Sequence, residues 1–156
     1  MATDASPAAA RGSSPRASAF IVDNSVWSRL STSPVVVAAF KAVANLYSPS
    51  NLLLCPPVAA EFGFNARSGP DHTRLMEQLA AFPECELAPN SREVLDIQNR
   101  LWNSGLLRAA GSMDTLIAAY ALKNEAIILH YDQDFEHIAK VMPELKTQWI
   151  VPRDAC

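Results

Sequence analysis

Short apolar runs followed at once by polar residues alternate along this chain with longer segments of helical periodicity. Apolar runs of this length with polar ends are typical of buried strands. The pattern predicts core strands at residues 19–22, 51–55 and 126–131, a last strand at 148–151, and a weaker strand candidate at 85–87.

The segments between these runs carry apolar residues at helical spacing. Pro34 is placed to open one helix, and the pair Pro56-Pro57 to open another that continues to Arg67. Asp71 and Ser91 are placed to start two more. The predicted helices after the proline pair cover residues 58–67, 71–82, 91–102, 114–122 and 135–142. Strands that alternate with helices favour a mostly parallel sheet with helices on both faces, so we predict a three-layer α/β/α fold.

Length and composition fit one ordinary domain. The chain has 156 residues, 49% of them hydrophobic, and a formal net charge of −3, so no basic field draws it to nucleic acid over long range. Three widely separated cysteines form no metal-binding motif, which favours a reduced cytoplasmic protein. No run approaches the ~18 to 20 apolar residues of a membrane span, so no membrane association is expected. Residues 1–18, rich in Ala, Ser and Pro, are predicted to be a disordered extension before a domain at residues 19–153.

Four carboxylates adjoin apolar segments at places that local sequence does not explain. Asp23 follows the first strand, Asp132 follows the strand at 126–131, and Glu61 and Asp114 lie on apolar helices. Because the carboxyl ends of parallel strands meet at one edge of a sheet, acids placed there can converge. Converging carboxylates repel one another unless a cation compensates them, and an all-oxygen set favours Mg²⁺ or Mn²⁺ over Zn²⁺. The chain is therefore a candidate metal-dependent enzyme.

Ordinary structural roles are the alternative for several of these polar residues. Asp114 is also well placed as a first-turn acid of its helix, and Asp134 is better explained as the cap of the helix that follows it. Glu61 has the alternative of a solvated position on an exposed helix stripe. His130, within a predicted strand, and His137, on an amphipathic helix, are assigned structural roles rather than catalytic ones.

Three segments of the sequence together resemble the PIN-domain ribonucleases, and most closely the VapC toxins. They are IVDNSVWSRL, CPPVAAEFGFNARS and SMDTLIAAYALKNEAIILHYDQDFEHIAKV, and the resemblance extends over residues 19–153. The family's four acidic motifs occur here in the family's order. They fall on Asp23 with Ser25 as its helper, on Glu61, on Asp114, and on Asp132 with Asp134 as an accessory.

The resemblance implies an Mg²⁺-dependent endoribonuclease that cuts single-stranded or looped RNA, with Mn²⁺ as a substitute ion. The four acids would hold the metal directly or through water, and Glu61 would ligate the metal or activate a water. The resemblance also implies a homodimer and neutralisation by a small VapB-like antitoxin. Arg108, in the loop before Asp114, and Arg67 are candidate contacts to RNA phosphates, with ordinary surface positions as the alternative.

Two other functional classes are compatible with strand-end acids. A magnesium-binding phosphoacceptor signalling domain requires an aspartate on a central strand and a late lysine, and no lysine of this chain follows such a strand. A non-catalytic binding module with the PIN fold would be favoured by loss of the acids, and all four are present. Both alternatives are therefore weaker than the ribonuclease hypothesis.

Overall fold

The computed structural model describes residues 18–106 and 108–155, so the predicted extension lies outside the described residues except for its last position. The described strands are β1 (Phe20–Val22), β2 (Leu52–Leu53), β3 (Ile127–His130) and β4 (Lys146–Trp149). The described α-helices are α1 (Asn24–Trp27), α2 (Pro34–Tyr47), α3 (Pro56–Phe64), α4 (Gly69–Leu79), α5 (Ser91–Asn103), α6 (Ser112–Lys123) and α7 (Asp134–Val141).

The four strands form one parallel sheet in the order β2-β1-β3-β4. The two central strands, β1 and β3, are distant in sequence but adjacent in the sheet, with Phe20 opposite Ile127 and Val22 opposite Leu129. Parallel pairing places their carboxyl ends side by side. The residues that follow β1 and β3 therefore meet at one edge of the sheet.

Alternate residues of the central strands pack into different hydrophobic clusters. Ile21 and Ile128 belong to a cluster that includes residues of α5, α6 and α7, whereas Phe20, Val22 and Leu129 belong to one that includes residues of α2. This is the side-chain alternation of a sheet covered on both faces. The three-layer α/β/α prediction is confirmed. None of the helices in the described ranges is both long and apolar enough to cross a membrane.

The start of α5 at Ser91 is as predicted, whereas α4 starts two residues before the predicted Asp71. The cap of α4 is Ser68 rather than Asp71, because the Ser68 side chain accepts a hydrogen bond from the Asp71 backbone N–H at 3.2 Å. Likewise, α5 is capped by Asn90 and not by Ser91. The Asn90 side chain accepts from the Glu93 N–H at 3.0 Å, and the Glu93 carboxylate accepts from the Asn90 N–H at 2.7 Å. This reciprocal capping box fixes the start of α5.

Three strand and helix ends also differ from the predictions. The helix α3 ends at Phe64 rather than Arg67. Residues 85–87 do not form a strand, and pairing there is limited to an isolated bridge between Leu54 and Glu84. The last strand is β4 at Lys146–Trp149 rather than residues 148–151. The apolar Ile150 and Val151, which favoured the later bounds, are buried but lie after the end of the strand.

Candidate active site

Asp23 lies immediately after β1, where the chain turns into α1. Its backbone N–H donates to the Leu129 carbonyl of β3 at 2.9 Å, so the end of β1 is fixed against the neighbouring strand. Its carboxylate Oδ2 accepts from the Ser25 N–H at 2.8 Å and thereby caps α1. The side chain is only 4% exposed. Asp23 is thus a buried acid whose orientation is determined by its own loop.

Ser25 joins the loop after β1 to the loop after β3. Its hydroxyl accepts a hydrogen bond from the Tyr131 backbone N–H at 2.9 Å, across 106 residues of sequence. Arg29 reinforces this junction, since its Nη1 donates to the Ser25 carbonyl at 2.8 Å and its Cζ lies 4.4 Å from the centre of the Tyr131 ring. The expected pairing of Ser25 with the Asp23 motif therefore has a structural counterpart.

Asp114 is the third residue of α6, where its carboxylate both binds the start of the helix and belongs to the candidate site. Its Oδ2 accepts a hydrogen bond from the Gly111 N–H at 2.9 Å. A Cβ atom added at Gly111 would lie 2.9 Å from the same oxygen, so this approach requires glycine. The interpretation of Asp114 as a first-turn acid is correct, and the hydrogen bond also holds its carboxylate next to the other acids.

Asp132 and Asp134 follow β3 in a tight turn. The Asp132 backbone N–H donates to Nδ1 of His130 at 3.2 Å, and the Asp132 Oδ1 accepts from the Asp134 N–H at 3.0 Å. Asp134 is the first residue of α7, and the cap position belongs to Gln133, which makes no side-chain capping bond. The interpretation of Asp134 as the cap is wrong, because Asp134 lies inside the helix, one position after the cap.

Electrostatic interactions show that these acids have been brought together with Glu61, which lies in the middle of α3. Burial raises the pKa of Glu61, and the charges of Asp23, Asp114 and Asp132 raise it further. Burial also raises the pKa of Asp23 and Asp114, despite hydrogen bonds that oppose the shift. The pKa of Asp134 is raised by burial and then by Asp132 and Asp114. We call the five residues Asp23, Glu61, Asp114, Asp132 and Asp134 the acidic cluster.

The acidic cluster fits a hydrated hard cation. Its potential ligands are carboxylate oxygens, and like charges at this spacing raise one another's pKa. Among residues 18–106 and 108–155, no three His, Cys, Asp or Glu side chains are close enough to surround one ion. Mg²⁺ retains several waters and is usually held by one or two carboxylates, so it does not need a closed cage. The donor set therefore suits Mg²⁺ better than Zn²⁺.

Comparison with known proteins agrees with this architecture. The family model described as PIN domain matches residues 20–141. The chain belongs to the PIN-domain family.

Curated relatives carry the name Ribonuclease VapC. Ribonuclease VapC51 of Mycobacterium tuberculosis is 36% identical over 134 residues, which are 85% of this chain and 93% of that protein. Ribonuclease VapC21 of the same species is 34% identical over 102 residues, or 64% of this chain and 73% of the relative. The resemblance to VapC ribonucleases is confirmed. Membership of this family also leaves the phosphoacceptor domain without support.

Solved structures share the fold at low sequence identity. The crystal structure of VapBC2 from Rickettsia felis bound to a promoter DNA fragment has a TM-score of 0.65 at 15% identity, covering 83% of this chain and 97% of that chain. DNA-bound VapBC from Salmonella typhimurium has a TM-score of 0.64 at 15% identity, covering 86% and 99%. These likenesses support the PIN fold.

The structure gives residues beside the acidic cluster of this PIN domain contacts that were not identified from sequence. His130 is fully buried, and its Nε2 pairs with Glu136 at 3.1 Å while its Nδ1 holds the Asp132 backbone. Its structural role is as predicted, but it also supports a site acid. A cavity of about 350 Å³ beside Glu61 is lined by Asn24, Ala60, Phe64, Asn65 and Met113. None of these five residues was singled out from the sequence, although all of them lie within the three segments that resemble the family.

The two candidate arginines lie at different places around the PIN domain. Arg108 is exposed in the loop before α6, with a positive φ of 56°, and borders a separate cavity with Trp102 and Thr115. Arg67 is exposed between α3 and α4, where its backbone N–H donates to Asp71 at 2.9 Å. In the described part of the chain, neither arginine forms an ion pair with the acidic cluster. Their contact with RNA stays a prediction.

Proposed function

We propose that this PIN domain is an Mg²⁺-dependent endoribonuclease toxin whose activity a VapB-like antitoxin neutralises. The observation that carries the proposal is the meeting of Asp23, Glu61, Asp114 and Asp132 at the carboxyl ends of two adjacent parallel strands. The relatives named Ribonuclease VapC support RNA as the substrate.

In this proposal the four acids hold the metal directly or through its bound waters, with Mn²⁺ as a substitute, and Asp134 is an accessory group. Three of them use one carboxylate oxygen to bind a backbone N–H: Asp23 binds Ser25, Asp114 binds Gly111, and Asp132 binds Asp134. The proposal assigns the remaining lone pairs of these carboxylates to the ion or its waters. The backbone bonds keep the carboxylates in place, which limits the reorganisation needed when substrate arrives.

When bound, Mg²⁺ would supply positive charge for the scissile phosphate and would lower the pKa of the water that serves as the nucleophile. Glu61 has a raised pKa, caused first by its burial and then by neighbouring negative charges. A bound cation would offset these charges and favour the ionised carboxylate, which can accept a proton. Glu61 is therefore our candidate for accepting the proton of the attacking water, in addition to its role in metal ligation.

The proposed partners follow from the same comparisons. The structural neighbours are VapBC complexes, which supports a VapB-like antitoxin as a protein partner of this chain. A homodimer is part of the proposal because the family resemblance implies it. The cluster is strongly acidic, so the approach of an RNA phosphate depends on the bound metal, and Arg29 and Arg108 are candidate phosphate contacts.

The proposal is tested with the purified full chain and total RNA in the presence of Mg²⁺. We expect cleavage that EDTA abolishes, that Mn²⁺ restores, and that Asp23→Ala and Asp114→Asn both eliminate while circular dichroism remains native. Asp96→Asn is the matched control, since Asp96 is an exposed acid on α5 paired with Arg100 at 3.0 Å. Cleavage that persists in EDTA, or in the Asp114→Asn protein, would contradict the proposal.

Neutralisation is tested in cells. Expression of the chain alone should arrest growth, and co-expression of the small gene next to it should restore growth. If the Asp114→Asn protein arrests growth as strongly as the wild type does, the toxicity does not come from the acidic cluster.

A further inference from the structure

The cavity beside Glu61 contains an aromatic ring that the fold leaves in solvent. Phe64, the last residue of α3, is 90% exposed, whereas Phe62 in the same helix packs on Trp27 with ring centres 6.0 Å apart. Phe64 therefore does not contribute to the core as its neighbour does. Its position at the rim of a cavity that Glu61 also lines places an apolar surface directly beside the acidic cluster.

The same cavity is bordered by amide side chains. Asn24 follows Asp23 directly, and its Oδ1 is buried without a hydrogen-bond partner among the described residues. Buried polar atoms nearly always have a partner, so an unpaired one next to a cavity indicates a bound water or a ligand group. Asn65 supplies a second amide at the rim. The cavity thus combines an aromatic face with hydrogen-bonding groups.

We propose that this cavity is a nucleobase subsite, in which Phe64 stacks on a base next to the scissile phosphate and Asn24 hydrogen-bonds to the base edge. The inference rests on the proposed ribonuclease function and extends it to base recognition. Stacking on aromatic side chains, together with hydrogen bonds to exposed base edges, is how proteins recognise unpaired RNA.

The cavity suits a nucleobase better than an apolar side chain of a protein partner. A partner side chain would cover Phe64 but would leave the buried Asn24 Oδ1 without a donor, which is unfavourable. A base edge that carries an amino or imino N–H covers the ring and supplies the donor. The volume of about 350 Å³ lies near the lower end of the ~300 to 1,000 Å³ range of small-molecule pockets. One unstacked base fits this scale, so the subsite selects single-stranded or looped RNA.

The test measures RNA binding separately from cleavage. Fluorescein-labelled ribohexamers of adenine, cytosine, guanine or uracil, and an abasic hexamer with the same phosphates, are titrated with the full chain by fluorescence anisotropy. Ca²⁺ replaces Mg²⁺, and gels verify that the RNA stays intact. We expect the wild type to bind at least one base-bearing hexamer about 5- to 150-fold more tightly than the abasic one, the range given by stacking of one base.

The variants assign that preference to Phe64 and Asn24. Phe64→Ala should remove most of the preference without changing the affinity for the abasic hexamer, Phe64→Tyr should retain it, and Asn24→Ala should change the ranking of the bases. Leu46→Ala is the matched control, because Leu46 is 76% exposed on α2, away from the cavity, and its truncation should change nothing.

Three results would overturn the subsite. One is a wild type that binds the abasic hexamer as tightly as every base-bearing hexamer, and another is a Phe64→Ala protein that weakens both kinds equally. The third is a Phe64→Ala protein that keeps wild-type RNA binding and loses affinity only for the antitoxin, which would make the cavity a protein contact. Base-selective binding without Mg²⁺-dependent cleavage would contradict the proposed function alone, whereas cleavage with unchanged Phe64→Ala binding would contradict the subsite alone.

Discussion

Replacing Ser25 with alanine removes the hydroxyl that joins the two loops of the acidic cluster. The Tyr131 N–H, which now donates to this hydroxyl at 2.9 Å, would lose its acceptor in a partly buried place. The backbone bond from Ser25 to Asp23 would remain. Leaving a buried donor unpaired costs about 1 to 3 kcal/mol. For a chain of this size each kcal/mol lowers the melting temperature by ~2 to 4 °C, so we expect a decrease of about 2 to 12 °C.

The same substitution changes the titration of Asp23. Burial raises the pKa of Asp23 and the hydrogen bond from the Ser25 side chain lowers it, so Ser25→Ala should raise this pKa further. If activity requires the ionised carboxylate, the acidic limb of the pH–rate profile must move to higher pH. The variant should therefore lose most activity near the acidic limb and recover part of it as the pH increases.

Thermal unfolding and RNA cleavage between pH 5 and 8 measure both effects. Ser28→Ala is the control, because Ser28 is exposed and its hydroxyl lies 3.5 Å from the Ser25 carbonyl, at the limit of a hydrogen bond. Ser25→Thr keeps the hydroxyl and should resemble the wild type. The reasoning is refuted if Ser25→Ala melts within about 1 °C of the wild type and keeps the same acidic limb.

Three other predictions concern Asp114, the charge of the cluster and its metal. Gly111→Ala should lower cleavage at least ~10-fold with little change in melting temperature, because the new Cβ would lie 2.9 Å from the Asp114 Oδ2 and displace the carboxylate. Gly69→Ala is the control, since a Cβ at Gly69 meets no atom within 4 Å. A fully active Gly111→Ala protein would contradict the argument. Since burial raises the pKa of Asp23 and of Glu61 above their ordinary values, metal-free protein should lose stability as the pH rises from the unfolded-state pKa through the raised folded-state pKa. At pH 7, Mg²⁺ should raise the melting temperature of the wild type more than that of Asp23→Asn, and equal shifts in calorimetry would exclude a metal at this cluster.

The position of the central strands and of their acids could be predicted from sequence because both depend on local signals. Short apolar runs mark β1 and β3, and parallel pairing brings their carboxyl ends together whatever lies between them. Asp23 and Asp132 therefore converge as expected. Glu61 and Asp114 required the order of the family motifs in addition, since a helical acid has no preferred direction in sequence alone.

The contacts that hold the acids in place could not be predicted in the same way. The hydrogen bond between Ser25 and Tyr131 joins residues 106 positions apart, and no local pattern encodes it. His130 shows the same limit, because its burial was predicted but its bond to the Asp132 N–H depends on the turn that follows β3. The cap interpretation of Asp134 was wrong because α7 starts one residue earlier than predicted, which places Asp134 inside the helix.

The electrostatics of the cluster explain why metal and protons should compete for it. Each backbone N–H that binds Asp23 or Asp114 favours the ionised carboxylate, yet the pKa of both acids is raised, so burial and like charges outweigh the hydrogen bonds. The ionised cluster is therefore unfavourable in metal-free protein. Either protons or a divalent cation relieve this repulsion, but only the cation leaves the carboxylates charged. Mg²⁺ affinity should consequently fall as the pH decreases, with release of the protons that the raised pKa values hold in the free site.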